Sequence, residues 1–408
     1  MKITKHFFCV ALIAFLFAPC STNLLFAQDQ EKAKPEGYTF THTKEIKYTP
    51  VKNQSSSGTC WSFSGVGFLE SELIRKGKGE FDLSDMWIVK RAFQEKADKY
   101  VRMHGNWNFG GGGAFVDVFA MIDKYGIVPT SVFNGLAYGE TIHIHGELDA
   151  LLKAYVDVIV KNPNKKLSTA WKKGYNAILD AYLGVDPDKF TYNGKEYTPK
   201  TFASSLGLNM SDYISITSFT HHPFYSKFAI EVPDNWILEQ SYNVPLNEMM
   251  QIVNNAIDKG YAVAWGADVS DKGFNWRKGV AVLPEKDMAN MNDSDRARWE
   301  NLSQGEKNDE IYKFDKPGKE KTITQEIRQE AFDNFTTTDD HGMVLVGKAT
   351  DQNGTPYFIV KNSWGLDSRN PYSGFLYASE PFIAMQTINI IVHKDAIPAE
   401  IKKKLSIN

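Results

Sequence analysis

The feature that most constrains the fold is a change of periodicity along the chain. Apolar residues recur at helical spacing through the first half, and short β-rich runs replace them towards the end. Thr59 can N-cap a helix from about Cys60 to Lys76, with Arg75 and Lys76 in the last turn and Gly77 as an αL cap. A second helix fits Asp85 to Lys99 with Ser84 as N-cap, and a third fits Ala114 to Tyr125, closed by Gly126 and followed by Pro129. Residues 147–183 keep helical periodicity, with Lys165, Lys166, Lys172 and Lys173 on a solvated face. Leu246 to Lys259 is one more helix, stopped by Gly260. Tyr261 to Val269 then reads as a buried strand. His341–Ala349, Pro356–Lys361, Gly374–Ala378 and Met385–Val392 are β-rich runs between Gly, Pro, Asn and Asp turn signals. Helices first and strands later predict an α+β fold with two segregated lobes.

The boundaries follow from this pattern. Residues 1–27 read as a signal peptide: Lys2 and Lys5 give a charged start, Cys9 to Ala18 is an apolar run too short to span a membrane, and Leu25-Phe26-Ala27 offers a small-residue cleavage site. A second reading makes Cys20 a lipid-anchor site, although Pro19 before it fits poorly. Residues 28–47 are polar and read as an N-terminal linker. The helical lobe takes residues 48–235 with an inserted helical segment, and the β-rich lobe takes 236–395 with a charged surface insertion near 285–335. Residues 396–408 form a short C-terminal arm.

The leader implies export to the periplasm or outside the cell, and that gives the cysteine count its meaning. The chain has three cysteines, and two of them, Cys9 and Cys20, lie in the leader. Exported proteins use cysteine in pairs, so the lone thiol of Cys60 calls for chemistry rather than a disulfide. The apolar content of 42% builds a core without one. Loss of Lys2 and Lys5 with the leader moves the formal net charge from −3 to −5. With no basic patch, a nucleic-acid or anionic-membrane role has no support. No later apolar stretch is long enough for a transmembrane helix.

A thiol attacks a carbonyl as thiolate, and at its free pKa it is mostly protonated at neutral pH. Cys60 falls at the start of a helix, where backbone N–H groups favour negative charge. A histidine folded beside it would complete a thiolate–imidazolium pair, and a neutral amide would hold the other ring nitrogen. Downstream, Asp340-His341-Gly342 and Asn362-Ser363-Trp364-Gly365 can supply these groups. Cys60's own N–H and the amide of Gln54 could receive the developing oxyanion. His143-Ile144-His145 has alternate spacing that could serve a metal, but no third ligand motif lies near, and His221-His222 reads as packing. No metal or organic cofactor is expected.

Gln54-x5-Cys60-Trp61-Ser62-Phe63, His341-Gly342 and Lys361-Asn362-Ser363-Trp364-Gly365 together resemble the papain-like cysteine peptidases, and more closely their bleomycin hydrolase / aminopeptidase C branch. Leu83-Ser84-Asp85, residues 124–129, residues 213–224 and residues 264–269 fit the same branch. The resemblance implies the two-lobed papain-like fold, with Cys60 as nucleophile, His341 as acid/base, Asn362 as orienter and Gln54 as oxyanion-hole amide. It also implies that Trp364 shields the His–Asn hydrogen bond, and that Gly111, Gly112 and Gly113 line the substrate cleft. The Cys60-to-His341 gap exceeds the ~130–150 residues usual in papain-like chains, which residues 130–235 and 285–335 could accommodate as insertions.

The branch ends in a longer arm that enters the cleft and enforces aminopeptidase action, and it assembles as hexamers. This chain matches into that arm at residues 390–394 and 397–400 and then stops at Leu405-Ser406-Ile407-Asn408. Two enzymatic expectations follow: an aminopeptidase, or an endopeptidase or dipeptidyl peptidase with an open cleft. A peptide-binding protein without turnover is the rival from another class. Peptides are the expected partners, and a hexamer is implied by resemblance alone.

Overall fold

The computed structural model describes residues 37–407, so the leader read over residues 1–27, with Cys9 and Cys20, lies outside the described residues. The helices of the first half are α1 (Cys60–Arg75), α2 (Asp85–Arg102), α3 (Phe115–Tyr125), α4 (Gly146–Val160), α5 (Ala170–Leu183) and α6 (Pro199–Leu206). Those of the second half are α7 (Leu246–Asp258), α8 (Asp293–Glu300), α9 (Gln304–Ile311), α10 (Gln325–Asp333), α11 (Glu380–Gln386) and α12 (Ala399–Lys404). The strands are β1 (Phe40–Glu45), β2 (Phe190–Tyr192), β3 (Lys195–Tyr197), β4 (Tyr213–Thr217), β5 (Lys227–Ala229), β6 (Gln240–Asn243) and β7 (Val263–Ala267). They continue with β8 (Phe274–Asn275), β9 (Val280–Ala281), β10 (His341–Asp351), β11 (Pro356–Lys361), β12 (Phe375–Ser379) and β13 (Thr387–His393).

One large sheet organises the second half, in the order β5-β6-β4-β13-β7-β10-β11-β12-β9-β8, while β2 and β3 form a separate hairpin. β10 is the axis of the site. Its first half pairs with β7, its second half with β1, and its other edge with β11, all antiparallel. Antiparallel pairing sets the start of β10 beside the end of β11, so His341 and Asn362 meet at one end of the sheet although 21 residues apart in sequence.

α1 lies against β10, and its sequence explains how closely. Every residue from Trp61 to Leu73 is buried, Glu70 and Glu72 included. A Cβ on Gly65 would fall 2.8 Å from Val118 Cγ2 of α3, and one on Gly342 of β10 would fall 2.7 Å from Ser64 Oγ of α1. The small residues of α1 let α3 and β10 approach its backbone together. The buried Glu70 is satisfied by Lys52 Nζ at 2.9 Å, by the Leu83 N–H at 2.9 Å and by the Thr49 hydroxyl. These bonds tie the segment leading to Cys60 onto the helix.

Several expectations need adjustment. Thr59 stands at the N-cap of α1, but its hydroxyl bonds Ser57 Oγ at 2.5 Å and caps no helical N–H. Ser84 caps α2 through the Trp87 N–H at 3.0 Å, as expected. The helical stretch 147–183 divides into α4 and α5 around Pro163, whose ring excludes a continuous helix. Residues 40–45, inside the segment read as a linker, form β1 on β10, because Phe40 stacks on Tyr377 with ring centroids 3.7 Å apart. β4 and β5, within the range assigned to the helical lobe, join the large sheet. In the charged insertion α8 and α9 bury no side chain, whereas α10 buries Arg328 completely among backbone carbonyls of residues 218, 384, 385 and 387. Beyond β13, α12 docks on α7 through Lys404–Glu248 at 2.5 Å and the buried Ile401 and Leu405.

Candidate active site

Cys60 is the first residue of α1, with Thr59 at the N-cap position, so the orphan N–H groups of that helix end lie around its side chain. It shares a pocket with Trp61, Gly113, Asp234, Asp339 and His341. The backbone N–H groups of Gly342 and Trp61 favour its thiolate, but burial outweighs them, and Asp339 and Asp234 add negative field. Together these push the thiol up to about 12.

His341 opens β10 and is buried. Its Nε2 and the Oδ1 of Asn362 are 2.8 Å apart, which fixes the ring and leaves Nδ1 for proton exchange. Burial drives the imidazole down to about 4, with the Asn362 bond acting in the opposite direction. Thiol and imidazole are thus each held neutral in isolation. Proton transfer from Sγ to the ring would create both charges at once, and their mutual attraction would offset the desolvation of each.

Trp364 packs its ring 4.8 Å from that of His341, and Trp276 and Phe274 stand edge-on to Trp364 at 5.2 and 5.9 Å. This aromatic wall keeps water from the His341–Asn362 bond and so strengthens it. Gln54 is buried in the loop before α1. Its N–H donates to the Ser363 carbonyl at 2.8 Å, and its Oε1 accepts from Ser363 Oγ at 2.7 Å. With Oε1 engaged, the free end of the amide is Nε2, a donor.

The four glycines before α3 do different things. Gly113 is in the pocket wall beside Cys60, and a Cβ there would strike Asp117 Oδ2 at 2.7 Å and Trp61 at 2.9 Å. Gly111 and Gly112 lie outside that wall. The Gly111 carbonyl accepts from Trp61 Nε1 at 2.9 Å, and a Cβ on Gly112 would overlap Asp234. The buried Lys96 donates to the carbonyls of Gly110, at 2.8 Å, and Gly112, so this loop is pinned from beneath.

His143 and His145 dock on the loop that precedes α1. The Ser56 N–H donates to the His143 carbonyl, and the His145 N–H donates to the Ser56 carbonyl, both at 3.0 Å. Burial drives both imidazoles down to about 4. Among the described residues no acidic or cysteine partner joins them in a metal-sized cluster; the group that does form is His221, His222 and Glu231. There His221 Nδ1 faces the Gln329 Nε2 donor at 3.0 Å, and Gln329 Oε1 accepts from the Thr220 N–H, so the amide cannot turn. Nδ1 is therefore the acceptor, and Nε2 carries the proton towards Glu231 at 3.1 Å, opposite to what a metal at Nε2 needs.

Sequence reading did not single out Ser363, Asp234, Asp339, Trp276 or Lys96. Asp339 carried the one available signal, an acidic pair directly before His341. Lys96 lies on α2, and the others come from loops whose meeting depends on the sheet.

Similarity to known proteins gives the family and the fold. The model of the Peptidase C1-like family matches residues 17–295 and 291–408, so the chain belongs to that family of cysteine peptidases. Aminopeptidase C of Streptococcus thermophilus is 24% identical over 404 residues, covering 88% of this chain and 84% of the relative. Bleomycin hydrolase of Mus musculus is 23% identical, covering 89% and 84%. The crystal structure of PepW from Lactobacillus rhamnosis superposes with a TM-score of 0.66 at 22% identity, over 90% of this chain and 84% of that one, and has the same fold. The papain-like α+β architecture therefore stands.

Proposed function

We propose that this cysteine peptidase is an aminopeptidase in which Cys60 is the nucleophile, His341 the acid/base and Asn362 the orienter. The observation that carries this reading is the His341–Asn362 bond at 2.8 Å, beneath Trp364 and beside the pocket that holds Cys60 at a helix N-terminus. The Cys60 sulfur attacks the scissile carbonyl as its proton passes to His341 Nδ1. The N–H of Cys60 and Nε2 of Gln54 receive the oxyanion. Collapse expels the amine, which takes the proton from His341, and leaves a Cys60 thioester. Water then attacks the thioester with the imidazole as base, releasing the acid and the free thiol. None of these steps calls for a metal or cofactor.

Aminopeptidase action is supported by the names of the relatives, which include aminopeptidases C and G. Cys60→Ala is the test: the variant folds with an unchanged circular dichroism spectrum and releases no amine from aminoacyl amides. Retained turnover would overturn the assignment. The export reading rests on the leader composition and is checked by locating the protein in cell fractions. The hexamer rests on resemblance, and light scattering decides it. Among the described residues no helix is long and apolar enough to cross a membrane.

A further inference from the structure

The pocket beside Cys60 carries an unusual charge load for a nucleophile's surroundings. Asp234 and Asp339 both line it, and both raise the cost of forming the thiolate. Asp117 lies directly behind the Gly113 wall of the same pocket. Among the described residues none of these three carboxylates has an ion-pair partner. Asp339 has no hydrogen bond, and Asp234 has one weak contact, from Asn108 Nδ2 at 3.3 Å. Asp117 is wholly buried. Its Oδ2 accepts from the Trp236 indole at 2.6 Å and the Ala114 N–H at 3.1 Å, but Oδ1 has no partner. Lys96, whose field reaches Asp117 and Asp234, gives its hydrogen bonds to the glycine-loop carbonyls instead.

Carboxylates that repel one another, beside a thiol they hinder, make sense if the ligand brings the missing positive charge. We propose that Asp339 and Asp234 bind the α-ammonium group of the substrate's N-terminal residue, and that this contact restricts cleavage to the first peptide bond. The inference rests on the peptidase reading above and gives it a basis in the described residues. Three consequences follow from elementary electrostatics. A free N-terminus is anchored one residue away from the scissile carbonyl, because the carboxylates and Cys60 share one small pocket. An acylated or internal residue would cover these half-buried carboxylates without supplying a counter-charge, which disfavours its binding. The bound ammonium also cancels the field opposing the thiolate, so the correct substrate helps to ionise its own nucleophile.

The test compares alanine, N-acetylalanine and N-acetyllysine amides of aminomethylcoumarin on the wild type, Asp339→Asn, Asp234→Asn and Asp339→Glu. The quantity read is the ratio of kcat/KM for the free-amine substrate to that for its N-acetyl twin, which cancels any change in thiol reactivity common to both. The expected wild-type ratio is at least about 100, as for a charge covered on binding and left unpaired, and it falls at least about tenfold in each Asn variant while Asp339→Glu restores most of it. Unchanged ratios in both Asn variants would overturn the proposal, yet would leave the peptidase assignment intact as long as Cys60→Ala is inactive. A wild type that cleaves N-acetyllysine amide as well as alanine amide would show that the pocket reads a basic side chain, and would overturn it too. Should the Asn variants not fold, protection of wild-type Cys60 from iodoacetamide by alaninamide but not by N-acetylalaninamide is the expected result, and equal protection refutes the assignment.

Discussion

Ser363 Oγ donates to Gln54 Oε1 at 2.7 Å, joining the residue after the proposed orienter Asn362 to the amide proposed for the oxyanion hole. The bond decides which end of the Gln54 side chain is free, so the segment after β11 that supplies Asn362 also orients the proposed oxyanion donor. Gln54→Ala is expected to lower kcat by about 10²–10³. Ser363→Ala leaves the donor in place but loosely aimed, so kcat falls by a smaller factor and KM changes little. Steady-state kinetics on one aminoacyl amide separates the two. A Ser363→Ala loss as large as that of Gln54→Ala would mean that Ser363 acts by another route.

Removing His341 should cost roughly 10²–10⁴ in kcat, the contribution of a positioned acid/base. Asn362→Ala should cost less, because Trp364 still holds the ring from one face with centroids 4.8 Å apart. The double variant Asn362→Ala, Trp364→Leu should lose more than the sum of its parts in free energy, since each support partly replaces the other.

Gly342 connects packing to chemistry. A methyl group there would meet Ser64 Oγ at 2.7 Å and Phe115 at 3.1 Å, and so would push α1 away from β10. Gly342→Ala should destabilise the protein by about 1–3 kcal/mol in urea unfolding. Activity should fall further than stability, because Cys60 rides on α1 and His341 on β10. Ser64→Gly in the same chain opens space for the methyl and should recover part of both losses.

The pH dependence of stability has opposing components with defined signs. His145 is fully buried and held down to about 4, so the folded protein binds its proton less tightly than the unfolded chain. Its effect is to remove stability as pH falls from about 6.5 to about 4. Asp339 is raised to about 7, first by burial and then by the neighbouring carboxylates. The fold binds its proton more tightly than the unfolded chain does, and stability is lost as pH rises from about 4 to about 7. Thermal unfolding of variants separates the two. Asp339→Asn should gain on the wild type as pH rises through that window, and His145→Gln should gain on it as pH falls below 6.5.

Much of the fold and of the site was legible in the sequence because the signals were local. Ser84 before α2, Gly126 after α3 and the β-rich runs that became β10 and β11 all announce themselves within a few residues. Cys60, His341, Asn362 and Gln54 stood out because each sits in a distinctive short motif. What remained hidden was set by tertiary partners. β1 looked like a linker because five of its six residues are exposed, and its partly buried Phe40 packs on aromatic rings brought from β12, the loop after β11 and β11 itself. The Thr59 hydroxyl turned to Ser57 because the loop, not the helix, offered the closer partner. Asp234 lies 174 residues beyond Cys60 on a loop with no motif, and only the closed structure puts both in one pocket.

The central claim is tested most directly by acid-quenching the enzyme during turnover of an aminoacyl ester and measuring the mass of the peptide containing Cys60. The account predicts an adduct of one aminoacyl group on Cys60 that decays at the rate of turnover and is absent in His341→Ala. Turnover with an unmodified Cys60, or with the acyl group on another residue, would contradict it.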